Sequence, residues 1–207
     1  MTSPEPRTAG DDSSVEQDTA RADVYAIIGR LFYDAPDQQL LAALTQGVGE
    51  QGHAQGELGE AWGELCGACR TAAPDGLKQE YDSLFVGVGK SEITPYTSHY
   101  VKYGVAGGHL VRLRELMAGW KLQRRVAAHE TEDHASGVAD VMRHLVSDGH
   151  GYDQQRMFFN EFVCPGLLPM CDAIDRSPNA YFYRRVAQFV RAFLAVEKDA
   201  FELLDDQ

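Results

Sequence analysis

The stretch FYRRVAQFVRAFLAVE, Phe182 to Glu197, decides how the rest of the chain is read. Phe182, Val186, Phe189, Val190 and Phe193 recur three and four positions apart. Side chains at that spacing share one face of an α-helix. A face this apolar is stable only against other apolar faces, so the helix needs partners. Asn179 stands where its side chain can cap the helix start.

The same period runs through the chain. Val24, Ile27, Ile28, Leu31 and Phe32 form a stripe that begins at Val24, and Pro36 stops that helix. Asp37 can cap a short helix carrying Leu40, Leu41 and Leu44. Glycines from Gly47 to Gly56 read as a loop. A third helix is expected over 57–72, ended by Pro74, and a short fourth one through Leu77, Tyr81, Leu84 and Phe85, broken by Gly87 and Gly89. Leu110, Leu113, Leu116, Met117 and Trp120 mark a long helix to about Val126. Val138, Val141, Met142 and Leu145 mark another, closed by Gly149. Met157, Phe158 and Phe162 lead into Pro165-Gly166, a pair expected to kink or interrupt a helix that continues through Leu167, Leu168, Met170 and Ile174. No segment alternates at period two for long. TSHYVKY comes closest, without a partner strand. The expected fold is all-α: a single-domain helical bundle over 20–207, after a disordered acidic tail over 1–19 rich in Pro, Ser, Thr, Gly and acids.

The 207 residues suffice for a substantial core. A formal charge of -12 repels phosphate, which argues against nucleic acid and anionic lipid and for a partner with a cationic segment. No apolar run approaches the roughly 20 residues that span a bilayer, so stable membrane insertion is not expected. The N-terminus lacks the basic and apolar regions of a signal peptide, so the expected location is cytoplasmic. Cys66 and Cys69 form a C-x-x-C, the spacing of zinc and redox pairs, yet they share a helical face with Leu58, Trp62 and Leu65 and also fit as small buried apolar residues.

HETEDHASG, His129 to Gly137, is the densest knot of ionisable side chains. One reading is a helix start, with Thr131 as N-cap and Glu132 and Asp133 in the first turn, where acids favour the helix dipole. A second is a metal site that uses Glu130 and His134, which needs further ligands such as His99, His109 or His144. No Gly-x-Ser-x-Gly or phosphate loop accompanies the knot. VGVGKSE contains Gly-Lys-Ser without the glycine spacing or the preceding strand of a phosphate cradle, and reads as a loop.

Four stretches together resemble the TorD/DmsD/NarJ family of cytoplasmic chaperones that mature molybdoenzymes. YDSLFVG (Tyr81 to Gly87) is similar to its Y-x-x-L-F-x-G segment. TPYTSHY (Thr94 to Tyr100) is similar to its P-Y-x-S-x-Y loop, and ETEDH (Glu130 to His134) to its E-P-x-D-H motif, with Thr131 in place of proline. FYRRVAQFVRAFLAVE is similar to its C-terminal helix. A second departure is ASGVAD, less apolar and less acidic than the family's usual stretch. The order and approximate separations are kept from about Tyr25 to the C-terminus.

The resemblance implies a non-enzymatic chaperone of TorD-like fold, without metal or cofactor, a monomer or weak homodimer. It would bind the apo catalytic subunit of a molybdopterin-containing oxidoreductase, at its twin-arginine leader, its body or both, until the cofactor is inserted. The peptide-binding residues it implies are Asp133 and His134, with Glu130, Tyr81, Phe85, Pro95, Tyr96, Ser98, Tyr100 and Trp120. Carboxylates take a leader's guanidiniums by charge-assisted hydrogen bonds, and an apolar groove takes its hydrophobic run. The chain's own pairs, Arg124-Arg125 and Arg184-Arg185, are expected inside helices and are not an export signal. The rival readings are a metal-dependent hydrolase built on His129–His134 and a generic helical adaptor.

Overall fold

A computed structural model describes residues 9–46, 56–87, 89–101, 107–124 and 129–203. The described elements are α1 (Ala9–Tyr33), α2 (Gln38–Gln46), α3 (Glu57–Thr71), α4 (Pro74–Tyr81), α5 (Gly108–Gly119), α6 (Ala135–Ser147), α7 (Tyr152–Phe158), α8 (Cys164–Arg176) and α9 (Phe182–Leu203). No strand occurs among the described residues, and the all-α expectation holds.

The apolar stripe of α9 is buried along its length and packs on α3, α4 and α8. Phe193 meets Tyr25 of α1 edge-on, with ring centroids 5.0 Å apart, and Phe189 meets Trp62 of α3 at 5.1 Å. Helix α1 lies along α6. At Gly29 the two helices come within van der Waals reach: a Cβ there would sit 3.5 Å from the Ser136 carbonyl and 3.9 Å from Ala139 Cβ, an ordinary contact. Asp37 caps α2 as expected, accepting from the Leu40 N–H at 2.7 Å.

Several boundaries differ from the sequence reading. Helix α1 begins at Ala9, within the stretch expected to be a disordered tail. A helix needs no apolar stripe once its C-terminal half is anchored by packing. Residues 1–8 of that tail, and most of the Gly47–Gly56 loop, lie outside the described residues. Helix α5 stops at Gly119 instead of reaching Val126: Trp120 leaves the helical region and Lys121 takes a positive φ of 60°. Arg124 is therefore not in a helix, and Arg125 lies outside the described residues. Asn179 does not cap α9. Its amide is held by Glu92 at 2.8 Å, while Glu80 of α4 accepts from the N–H groups of Tyr181, Phe182 and Tyr183 at 2.8, 3.1 and 2.8 Å. A charged carboxylate satisfies several free N–H groups and the helix dipole at once, which an amide cannot.

The break before Pro165 takes the form of a π-helical turn, Phe159–Val163. Proline lacks an N–H and its ring crowds the preceding turn, so the wider register relieves both. A second π-turn, Asp82–Val86, follows α4 and ends at Gly87, with φ 62°. Cys66 and Cys69 are buried on α3, and the Cys66 thiol lies 3.4 Å from the Leu44 carbonyl. Burial pushes both thiols up, Cys69 to about 11. They serve as core residues, since metal binding and exchange need the thiolate.

Gly166, in the first turn of α8, faces Thr97. A Cβ there would lie 2.5 Å from Thr97 Cβ and 2.6 Å from its Cγ2. Thr97 is buried and cannot yield cheaply. Gly166→Ala is expected to cost about 1–3 kcal/mol, as overpacking does. Urea unfolding checks this, and an unchanged midpoint would mean that the Thr97 loop moves freely.

Candidate functional site

Two non-helical segments meet at one edge of the bundle. The segment Thr94–Tyr100, with a 3-10 turn at Thr97–His99, runs against Glu130–His134, which leads into α6. They pair through an isolated antiparallel bridge between Tyr96 and His134. The Thr97 N–H donates to the Asp133 carbonyl at 2.8 Å, and the Ala135 N–H to the Pro95 carbonyl at 2.8 Å. Thr97 Oγ1 adds a second donor to the Asp133 carbonyl at 3.0 Å.

Side chains complete the junction. Asp133 is 4% exposed. Its Oδ2 accepts from Ser98 Oγ, and its Oδ1 from Thr131 Oγ1 at 2.5 Å. Glu130 accepts from the Tyr96 hydroxyl. Burial and that carboxylate push the Tyr96 phenol up to about 12. The Tyr96 and His134 rings meet edge-on at 5.3 Å. Gly137 lets the turn fold back on itself, because a Cβ there would stand 2.7 Å from the Glu132 carbonyl.

The helix start is not the one expected. Helix α6 begins at Ala135, and His134 is its N-cap, its Nδ1 accepting from the Ser136 N–H at 3.2 Å and lying 2.7 Å from Ser136 Oγ. Thr131 is not the cap, and Glu132 and Asp133 precede the helix. Cross-segment pairing decides this: the Asp133 carbonyl and the Ala135 N–H are committed to Thr97 and Pro95, so the backbone cannot wind earlier.

Burial pulls the His134 pKa below its ordinary value, and the charges of Glu130 and Asp133 offset this only in part. His109, its ring tilted against Phe162 with centroids 4.7 Å apart, shifts the same way for the same first reason. A histidine kept neutral by the fold is protonated first in the unfolded chain. Stability is therefore full above about pH 6.5 and falls as the pH drops from there through the lowered folded values. The urea midpoint should fall between pH 7.5 and 5.5, with a shallower slope in His134→Gln. An equal slope in the two proteins would remove His134 from this linkage.

A groove of about 610 Å³ opens beside the junction, between α1 and α6. Ala26, Gly29 and Tyr33 line it from α1, Gly137, Asp140 and Val141 from α6, and Met117, Leu122, Arg124, Glu130 and Glu132 from the connecting side. Of the residues predicted from sequence, Pro95, Tyr96, Ser98, Glu130, Asp133 and His134 come together at the junction. Tyr100 closes its own loop, donating to the Thr94 carbonyl at 2.9 Å. Tyr81 and Phe85 belong to the core. The Tyr81 hydroxyl donates to the Phe32 and Tyr33 carbonyls at 3.1 Å each, and both rings pack on Tyr183. Burial raises the Tyr81 phenol well above its ordinary value, with help from Asp34 and Glu130. Trp120 packs on Phe158 and His150, apart from the groove lining.

His129 is exposed while His134 is buried, so the two do not share a centre. Among the described residues, no group of His, Cys, Asp and Glu is arranged to hold a metal ion. No described helix is long and apolar enough to cross a membrane. Sequence reading gave no site role to Thr97 and Gly166, which hold the loop to α8, or to Arg114 and Arg124, which pair with Glu132. The glycine was a usable signal, whereas nothing local marked the arginines.

The family to which these features point is one of maturation chaperones and not of enzymes. The chain belongs to the nitrate reductase delta subunit family, whose profile matches residues 51–167 and so covers all three internal motifs. Its fold is similar to a crystal structure described as "a putative redox enzyme maturation protein" from Archaeoglobus fulgidus, with a TM-score of 0.54 and 22% identity over 86% of this chain and 93% of that one. No curated protein matches the chain.

Proposed function

We propose that this chain is a dedicated cytoplasmic chaperone of a molybdopterin-containing oxidoreductase. It holds the apo catalytic subunit, by its twin-arginine leader, its body or both, until the cofactor is inserted. One observation carries the reading beyond the family: the Tyr96–His134 bridge joins the two motif loops at the rim of the groove between α1 and α6. Ala26, Met117 and Val141 offer that groove apolar surface, and Glu130, Glu132 and Asp140 bring carboxylates to it, beside the resident guanidiniums of Arg30, Arg124 and Arg143. A leader presents the complement: guanidiniums, then an apolar helix.

In this reading Glu130 and Tyr96 face the client. Asp133, His134, Pro95 and Ser98 position them, with both oxygens of Asp133 already taken. Tyr81 and Phe85 support the junction from the core, and Tyr100 holds its loop. Fluorescence anisotropy with a labelled leader peptide tests the proposal. A peptide with two adjacent arginines should bind more tightly than its dilysine version, and added salt should weaken it. Failure of this peptide and of the intact apo-subunit to bind would end the reading.

A further inference from the structure

Glu132 already receives two guanidiniums, both from its own chain. Arg114 of α5 donates from Nε to Glu132 Oε2 at 2.9 Å, and its Nη2 lies 2.8 Å from the same oxygen. Arg124 approaches Oε1 through Nε at 3.8 Å, and donates from Nη1 to the Glu130 carbonyl at 2.9 Å. Glu132 lines the 610 Å³ groove and also a second cavity of about 510 Å³, which Arg114, Lys121 and Arg124 line as well. Burial works against ionisation of Glu132, but the Arg114 hydrogen bond and the charges of Arg114 and Arg124 outweigh it and hold the carboxyl below its ordinary range.

The three side chains are not equally committed. The side chains of Arg114 and Arg124 are 51% and 42% exposed, that of Glu132 only 14%. Each arginine can swing into water at little cost, because exposed pairs are weak. Glu132 is sheltered and would be left costly without a cation. An incoming guanidinium pair can therefore exchange with the resident one without any step that leaves the carboxylate bare. Asp133 cannot play this part, since Ser98 and Thr131 occupy it and it is closed to solvent.

We propose that Arg114 and Arg124 are an internal stand-in for the client's paired arginines, and that Glu132 is the carboxylate for which the two pairs compete. The inference rests on the leader-binding reading above and adds its receptor and its restraint. A single lysine meets Glu132 as a point charge and replaces only one resident contact. Two adjacent arginines replace both, with the planar fork that suits a carboxylate. The resident pair thus filters out stray basic segments.

The test compares wild type, an Arg114→Gln/Arg124→Gln variant, Glu132→Gln, and Arg70→Gln/Arg185→Gln as a control with the same change in net charge on an outer face. The probe is the labelled leader peptide, in its diarginine and dilysine forms. Removing the stand-in should tighten binding of the diarginine peptide about tenfold relative to the control variant, and dilysine binding should tighten too. Glu132→Gln should weaken the diarginine peptide about tenfold or more and erase the preference for arginine. Should the first variant fold poorly, arginine-labelled wild type still decides. The Nε–H signals of both Arg114 and Arg124 should shift as the leader is added, whereas dilysine should move only one of them. Equal tightening in the stand-in and control variants, or arginine signals that ignore a leader which binds, would overturn the stand-in and leave leader recognition intact. If the leader binds neither wild type nor any variant, leader recognition itself fails, and the stand-in falls with it.

Discussion

Glu197→Ala should unfold this protein more readily than any other single change considered, with a loss of about 3 kcal/mol or more. Glu197 is 2% exposed and sits on α9, one turn past Phe193. It accepts from Arg21 Nε at 2.7 Å, from Arg21 Nη2 at 3.0 Å, and from the Tyr25 hydroxyl at 2.9 Å. The bidentate pair ties α9 to α1, and Arg21 also stands over the Phe201 ring at 5.5 Å. Removing the carboxylate leaves a guanidinium whose side chain is only 19% exposed with Asp18, at 2.9 Å and half-exposed, as its remaining acid, and it strands the buried Tyr25 hydroxyl. The stranded partners, more than the lost pair, set the cost. An Arg21→Met/Glu197→Leu double variant should therefore recover the part of the loss that comes from the guanidinium, while the Tyr25 hydroxyl stays without its acceptor. Urea denaturation of the two proteins checks this. A single variant within about 0.5 kcal/mol of wild type would mean that Arg21 simply turns to solvent.

Asp133→Ala should cost nearly as much, about 3 kcal/mol, because two hydrogen bonds to one buried carboxylate are lost together. For a chain of this size that lowers the melting temperature by roughly 6–12 °C. Ser98 and Thr131 would lose their shared acceptor, so the Thr94–Tyr100 loop would part from the start of α6. Asp133→Asn keeps the shape and one acceptor oxygen, and both hydroxyls can rotate, so it should recover about half of the loss. If Asp133 positions the client-facing residues, leader affinity should fall about tenfold in the alanine variant and less in the asparagine variant. A melting temperature unmoved by alanine would show that the backbone bonds alone hold the junction.

Much of the fold was legible because burial imposes a period. The stripes of α1 and α9 were visible at Ile28, Leu31, Phe32, Phe189 and Phe193, and all are buried. The ends were harder. Nothing local predicts that α1 runs back to Ala9, or that α5 breaks at Lys121. The cap of α6 was misread because Thr131 and Asp133 are both good cap residues by type. Thr131 stands where the family has proline, and it instead gives Asp133 a hydrogen bond.

The same division holds across the site. The sequence alone determined that the chain is helical, which helix faces are buried, and which two short motifs deserve to be read together. It even placed an acid, Glu197, in register with the apolar stripe of α9, a position that needs a cation. Only the tertiary structure decided which cation answers, since Arg21 is far off in the chain, and which acid of the knot is closed and which is shared. Asp133 and Glu132 are neighbours of similar chemistry. One is sealed by Ser98 and Thr131, and the other is held by Arg114 and Arg124 at the mouth of a groove. Periodicity is a property of consecutive residues and can be read along the chain. The partners of a charge are set by which elements pack together, and that is decided by the whole core at once.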